Sequence, residues 1–239
     1  MSENSKEIKN TPKLRVITTV LQGAVKLFLR SQVSDIKELD IDIQASDRQL
    51  LSGIIPKVYV FASGAVYQGL HLTSLQLSAE NIRINIGSIL KGQPLRLSET
   101  IPVAGTLVLE EEDINASLTS PLLSGALNDA LLQLLPEIGR KPKSIIWQKI
   151  ILSNNQFILF ANPGTEINTE LEEPLEIGIK LNLVDSHKLE LIPLSEQYIQ
   201  AQNGVQNGHR FDLGSDVDIE YLELIPSKVT CKGWINVNP

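Results

Sequence analysis

Residues 46–91 read SDRQLLSGIIPKVYVFASGAVYQGLHLTSLQLSAENIRINIGSILK. Apolar and polar residues alternate between clusters of turn formers, the period of strands with one buried face. Ser46 or Asp47 caps a short helical turn that Pro56 closes, and Val58–Ala62 begins a strand. Val66–Leu77, broken by Gly69, and Ile82, Ile84 and Ile86 after the Glu80–Asn81 turn read as a meander of antiparallel strands. The stretch predicts a β-rich, aliphatic domain built for burial rather than catalysis. The chain of 239 residues is long enough to bury a substantial core, and one domain over 11–239 is expected after a flexible segment 1–10.

Upstream, Thr11–Pro12 forms a helix-start signature, and Ile17, Val20, Leu21, Ala24, Val25, Phe28 and Leu29 recur at helical spacing. One helix over roughly 11–32 follows, with Gly23 inside it as a packing glycine. Residues 1–32 hold six basic and two acidic groups, net +4, against a formal −7 for the whole chain. A basic amphipathic helix on an acidic body suits anionic headgroups, although basic residues also simply solvate an outer helix face. Val33–Ala45 then changes period. Ile36, Leu39, Ile41 and Ile43 mark a strand whose other face carries Asp40 and Asp42, read as solvated rather than as an acid/base pair.

Downstream, Leu95–Leu109 supplies one or two strands. The acids Glu110–Asp113 enter a short helix, where the dipole favours them. Ser120 and Pro121 start a second helix, LLSGALNDALLQLL, which Pro136 stops. Its apolar residues cover most of the circumference, so the expectation is a helix wrapped on several sides. The 139–143 cluster GRKPK reads as a solvated loop. Two hairpins follow, Ile145–Leu152 with Gln156–Ala161, and Leu175–Leu183 with Lys188–Ile192. Asn203–Ser215 reads as a long flexible loop, and Val217–Leu224 and Val229–Val237 close the chain.

The missing motifs narrow the function. The chain has one cysteine, Cys231, and three histidines, His71, His187 and His209, with no spacing for a metal site. No catalytic, metal or cofactor site is expected. Gly87–Gly92 has phosphate-loop spacing but continues into Gln93 and Pro94 where Lys and Ser/Thr are needed. Asp216, Asp218 and Glu220 lack calcium-loop spacing. With 5% aromatic residues and no concentrated basic surface, nucleic acid is excluded as a partner. The polar N-terminus MSENSKEIKN carries no signal-peptide core, and no run of about 18 apolar residues offers a membrane span. The expected location is cytoplasmic or peripheral to a membrane.

Seven segments, LFLRSQV, SDRQLLSGIIP, GAVYQGLHL, ENIRINIG, LKGQPLRL, EEDINASL and SPLL, resemble in this order the cyanobacterial branch of the LmeA-like phospholipid-binding proteins. The resemblance covers about residues 20–135. It implies an α+β, tubular lipid-binding-like fold, with long helices cradled by a strongly curved antiparallel sheet and lipid held between. The implied function is non-enzymatic binding, or transfer, of a phospholipid, glycolipid or other acyl lipid at a membrane surface. On that reading Val20, Phe28, Leu29, Leu123, Leu127 and Leu131 border the groove, and Lys26 and Arg30 contact headgroups. The alternative is an interaction protein whose apolar groove takes a partner's helix or strand.

Overall fold

The alternation of residues 46–91 folds as the longest hairpin of the molecule. β2 (Ile54–Tyr67) and β3 (Leu70–Arg83) pair antiparallel from Ile54↔Arg83 to Tyr67↔Leu70. Gln68 and Gly69 turn between them with φ of 48° and 82°, the mirror-image turn that matches strand twist. At Gly69 a side chain would also collide with Ser120, 2.9 Å from the position of a β-carbon. The computed structural model describes residues 13–134, 145–163, 175–194 and 208–239. The segment 1–10, the Thr11–Pro12 cap, Pro136 and the 139–143 cluster lie outside these.

β1 (Glu38–Gln44) pairs with β2 at one edge, and β4 (Ile101–Glu110) joins β3 on the other side. The chain then leaves the sheet through α4 (Glu111–Ala116), a 3-10 turn (Ser117–Thr119) and α5 (Pro121–Leu134). It builds a second sheet, β5–β6–β7–β8–β9, entirely from neighbouring antiparallel strands: Ile145–Ser153, Gln156–Pro163, Leu175–Asp185, Lys188–Pro193 and His209–Asp212. The chain returns as β10 (Val217–Ile225) and β11 (Lys228–Val237), and β11 pairs with β4. The first sheet thus has the order β1-β2-β3-β4-β11-β10. Turns of the second sheet meet the β10 edge, where Asn155 N–H donates to the Leu224 carbonyl (3.0 Å) and Ile219 N–H to that of Ser186 (2.7 Å).

Each end of the first sheet has its own core. At one end α1 (Lys13–Gln32), α2 (Asp47–Leu51) and α3 (Ile86–Ile89) bury Leu21, Leu50 and Ile89 with Ile43, Ile55 and Ile82. At the other, Leu127, Leu131 and Leu134 of α5 pack on Trp147, Ile150, Leu159 and Ile177 of the second sheet. A bulge between Trp147 and Lys149 inverts the alternation of β5, so that Trp147, Ile150 and Leu152 all reach this core.

Four expectations need correction. Two antiparallel sheets replace one strongly curved sheet, because α4 and α5 carry the chain away before β5 can pair with β4. Among the described residues the two longest helices run 20 and 14 residues and are not the long cradled helices expected. α5 is covered on one side only: Leu122 and Leu132 remain 43% and 46% exposed, since one helix stripe suffices to seat it on the second sheet. The expected loop 203–215 contains β9, whose Phe211 sits opposite Leu189 and whose Arg210 is 3.1 Å from Glu190.

The acids at 111–113 tie the first sheet to the second. Thr73 Oγ1 donates to Asp113 Oδ2 (2.5 Å) and accepts from Glu110 N–H (2.7 Å), while Glu111 Oε2 accepts from Leu152 N–H (2.7 Å). Asn115 extends β5 sideways. Its Nδ2 donates to the Ile150 carbonyl (2.9 Å) and its Oδ1 accepts from Ile150 N–H (2.8 Å), the two bonds a neighbouring strand would supply.

Candidate functional site

Register places one continuous apolar face along the first sheet. Residues paired across an antiparallel ladder share a face. The rows Ile43–Val58–Ala79–Val103–Ile235, Val60–Leu77–Gly105–Gly233 and Leu75–Leu107–Cys231–Leu222 therefore lie side by side on one surface. Opposite ends of this face are roofed by the two helical groups, and a cavity remains under each.

The larger cavity, about 320 Å³, lies between the first sheet, α4, α5 and the second sheet. Leu107 and Leu109 of β4, Val229 of β11 and Leu224 of β10 form its floor; Leu123 and Leu127 of α5 and Ile150, Leu152 and Phe157 of the second sheet enclose it. His71 and Ser117 are the polar residues of the lining. Ser117 is fully engaged, its Oγ accepting from His71 N–H (2.8 Å) and donating to the Asp113 carbonyl (2.7 Å). No charged side chain points an acid or base into the space. The smaller cavity, about 160 Å³, lies under α1 and is lined only by apolar side chains, among them Val25, Phe28, Leu29, Val60, Leu77 and Val103. Between the two, Leu77 leans over Gly105, its Cδ2 within 3.2 Å of where a Gly105 β-carbon would sit, and Gly233 is the next residue across the ladder. Cys231 stands in the same stretch, and burial pushes its thiol above the ordinary range.

The residues singled out from sequence divide between these places. Phe28 and Leu29 line the smaller cavity, and Leu123 and Leu127 the larger. Leu131 is buried in the core of the second sheet and lines neither cavity. Val20 is 42% exposed on the outside of α1, one face with Leu27, which is 72% exposed. Lys26 and Arg30 are exposed beside them. The sheet contributions from β3, β4 and β11 were missed. Their signal was present as odd-numbered apolar residues, 101, 103, 107 and 109, then 229, 235 and 237, but showing that these strands are neighbours required the pairing.

Two of the histidines, His187 and His209, serve the fold. His187 Nδ1 donates to the Val217 carbonyl, and its backbone N–H donates to Asp185 Oδ1 (2.9 Å), which holds that carboxyl below its usual range. His209 packs edge-on to Phe211 at 4.7 Å. Among the described residues no three His, Cys, Asp or Glu side chains gather to hold a metal ion, and no helix is long and apolar enough to cross a membrane.

A two-chambered aliphatic face offers room for apolar chains. Residues 13–233 match the family described as LmeA-like phospholipid-binding, and the chain belongs to that family. Comparison with curated proteins and with solved structures gave no match.

Proposed function

We propose that this chain binds a phospholipid without chemical conversion, houses its acyl chains in the cavities of the first sheet, and exchanges it at a membrane surface. The observation that carries the reading is the cavity of about 320 Å³ whose lining is aliphatic but for His71, Ser117 and Phe157. Each methylene buried there contributes about 0.8 kcal/mol without directional chemistry. Phe28 and Leu29 in one chamber and Leu123 and Leu127 in the other are its groove residues. Membership of a phospholipid-binding family supports the same ligand class.

α1 is the part that meets the bilayer on this reading. Val20 and Leu27, seven residues apart and exposed, present an apolar stripe, and exposed Leu51 on the adjoining α2 adds to it. Lys26 and Arg30 flank the stripe, the arrangement of an interfacial helix facing anionic headgroups. A partner's helix is less well supported as the occupant, since a helix about 10–12 Å across does not fit a space of about 320 Å³.

Native mass spectrometry of the purified chain, followed by organic extraction and lipid analysis, tests the reading. A stoichiometric co-purified phospholipid is the expected result. A lipid-free mass that stays unchanged after incubation with phospholipid vesicles would overturn it.

A further inference from the structure

Beside the smaller apolar cavity lies a polar one of about 440 Å³, lined by Asn85, Ser88, Gln93, Pro94 and Arg96. The two share a wall. Ile84 and Leu97, joined by an antiparallel bridge, and Leu95 turn into the apolar cavity. Their chain neighbours Asn85, Pro94 and Arg96 line the polar one, as alternation along an extended backbone requires. This wall is one backbone thick, so an amphiphile with its chain under α1 has to pass its glycerol around the edge of the wall to set its headgroup in the polar chamber.

The chemistry of that chamber is selective. Arg96 is exposed and, among the described residues, has no ion pair or hydrogen-bond partner on its side chain, whereas nearby Arg83 is held by Glu99 (3.3 Å) and Lys57 by Glu80 (2.7 Å). The Ser88 hydroxyl and Gln93 amide are likewise uncommitted, while Asn85 Oδ1 accepts from Ser88 N–H (3.3 Å). No carboxylate lines the space. A free guanidinium fork with a hydroxyl and an amide donor beside it fits the oxygens of a phosphate monoester or diester.

We infer that this chamber holds the phosphate of the bound lipid's headgroup, with Arg96 as its counter-ion and Ser88 and Gln93 as donors, an assignment that rests on the lipid-binding reading above. It divides the basic residues by task. Lys26 and Arg30 meet the bilayer, and Arg96 reads the cargo.

Calorimetric titration of the full chain with dioctanoyl phosphatidylglycerol, with dioctanoylglycerol and with inorganic phosphate tests it. The wild-type chain is expected to bind the phospholipid about tenfold or more tightly than the diacylglycerol, the difference one charge-assisted pair makes. Arg96→Gln brings the phospholipid down to the diacylglycerol's affinity, and Arg96→Lys recovers part of the gap by restoring the charge without the fork. Thermal melting checks that both variants fold. If Arg96→Gln keeps the full preference for phospholipid, the inference is overturned while the lipid reading stands. Should neither lipid bind, both fall. Arg96-dependent binding of inorganic phosphate alone would make the chamber a free-anion site and overturn the headgroup assignment.

Discussion

Replacing Leu123 by Trp puts the larger cavity to the test. Leu123 is half-buried and projects from α5 into a space of about 320 Å³. A methylene takes about the room of a water molecule in the liquid, about 30 Å³, so the cavity holds about ten chain carbons. At about 0.8 kcal/mol each, these contribute about 8 kcal/mol before the costs of binding are subtracted. Trp adds about six heavy atoms to Leu, which removes space for about six carbons, or about 5 kcal/mol of that gross term. A chain that withdraws partly to the smaller cavity recovers some of it, leaving a loss of at least about 2 kcal/mol, roughly thirtyfold in affinity. Because the indole enters existing space, the melting temperature should hold or rise. The assay is titration with a long-chain phospholipid in mixed micelles, alongside thermal unfolding. Wild-type affinity in a Leu123→Trp variant that melts normally would show that the cavity holds no lipid chain.

Leu159→Ala, at a site 2% exposed in the centre of the second sheet, should cost about 2–5 kcal/mol and lower the melting temperature by about 2–4 °C for each kcal/mol; a change too small to measure would mean that the second core repacks freely. Asn115→Ala strips the Ile150 backbone of both its side-chain partners and should cost about 1–3 kcal/mol in denaturant titration, an effect absent if water replaces the amide. Leu27→Asp on α1 should weaken binding to anionic vesicles in a flotation assay while leaving the melting temperature unchanged, since Leu27 is 72% exposed; unchanged flotation would remove α1 from the membrane contact. Glu220 is held below its ordinary 4.5, first by the Trp234 indole N–H (2.9 Å) and then by Lys232. Its favourable contribution is therefore present above the unfolded value and is lost as pH falls through the lower folded one. The Trp234 indole proton, followed by NMR, should titrate with a midpoint below 4.5.

The strands were legible wherever alternation ran between strong turn formers. Asn155 takes φ of 55° at one turn, and Pro226 with Ser227 (φ 67°) makes another. Both lie between runs whose period is two, so local chemistry suffices there. Three strands ran differently from their reading. β2 begins at Ile54 before Pro56, β3 continues through Asn81 at φ 55°, and Leu95–Leu97 contributes only a bridge to Ile84. In the first two cases partner strands override the local signal, and in the third, among the described residues, no partner strand lies alongside to extend the bridge. Helix faces announce themselves by spacing, and the side chains of Phe28, Leu29, Leu123 and Leu127, singled out that way, line the two cavities. The floor was invisible because β4 meets β11 across more than a hundred residues of sequence, a pairing that neither segment encodes alone. Leu131, which lies in the core and lines neither cavity, shows the limit of spacing: a leucine facing a sheet and a leucine facing a void have the same helical phase.

One edge of the first sheet is open. β1 has β2 on one side and, among the described residues, no strand on the other. On this edge the Asp40 carboxylate accepts the N–H of Ile41 (3.0 Å), and Asp42 Oδ2 accepts from the Gln44 amide (3.0 Å). Exposed backbone donors on an edge strand recruit strands from other molecules, and acids placed there repel them. Asp40 and Asp42 set two negative charges along this open edge, and a double change to Thr is expected to raise concentration-dependent assembly, read by light scattering.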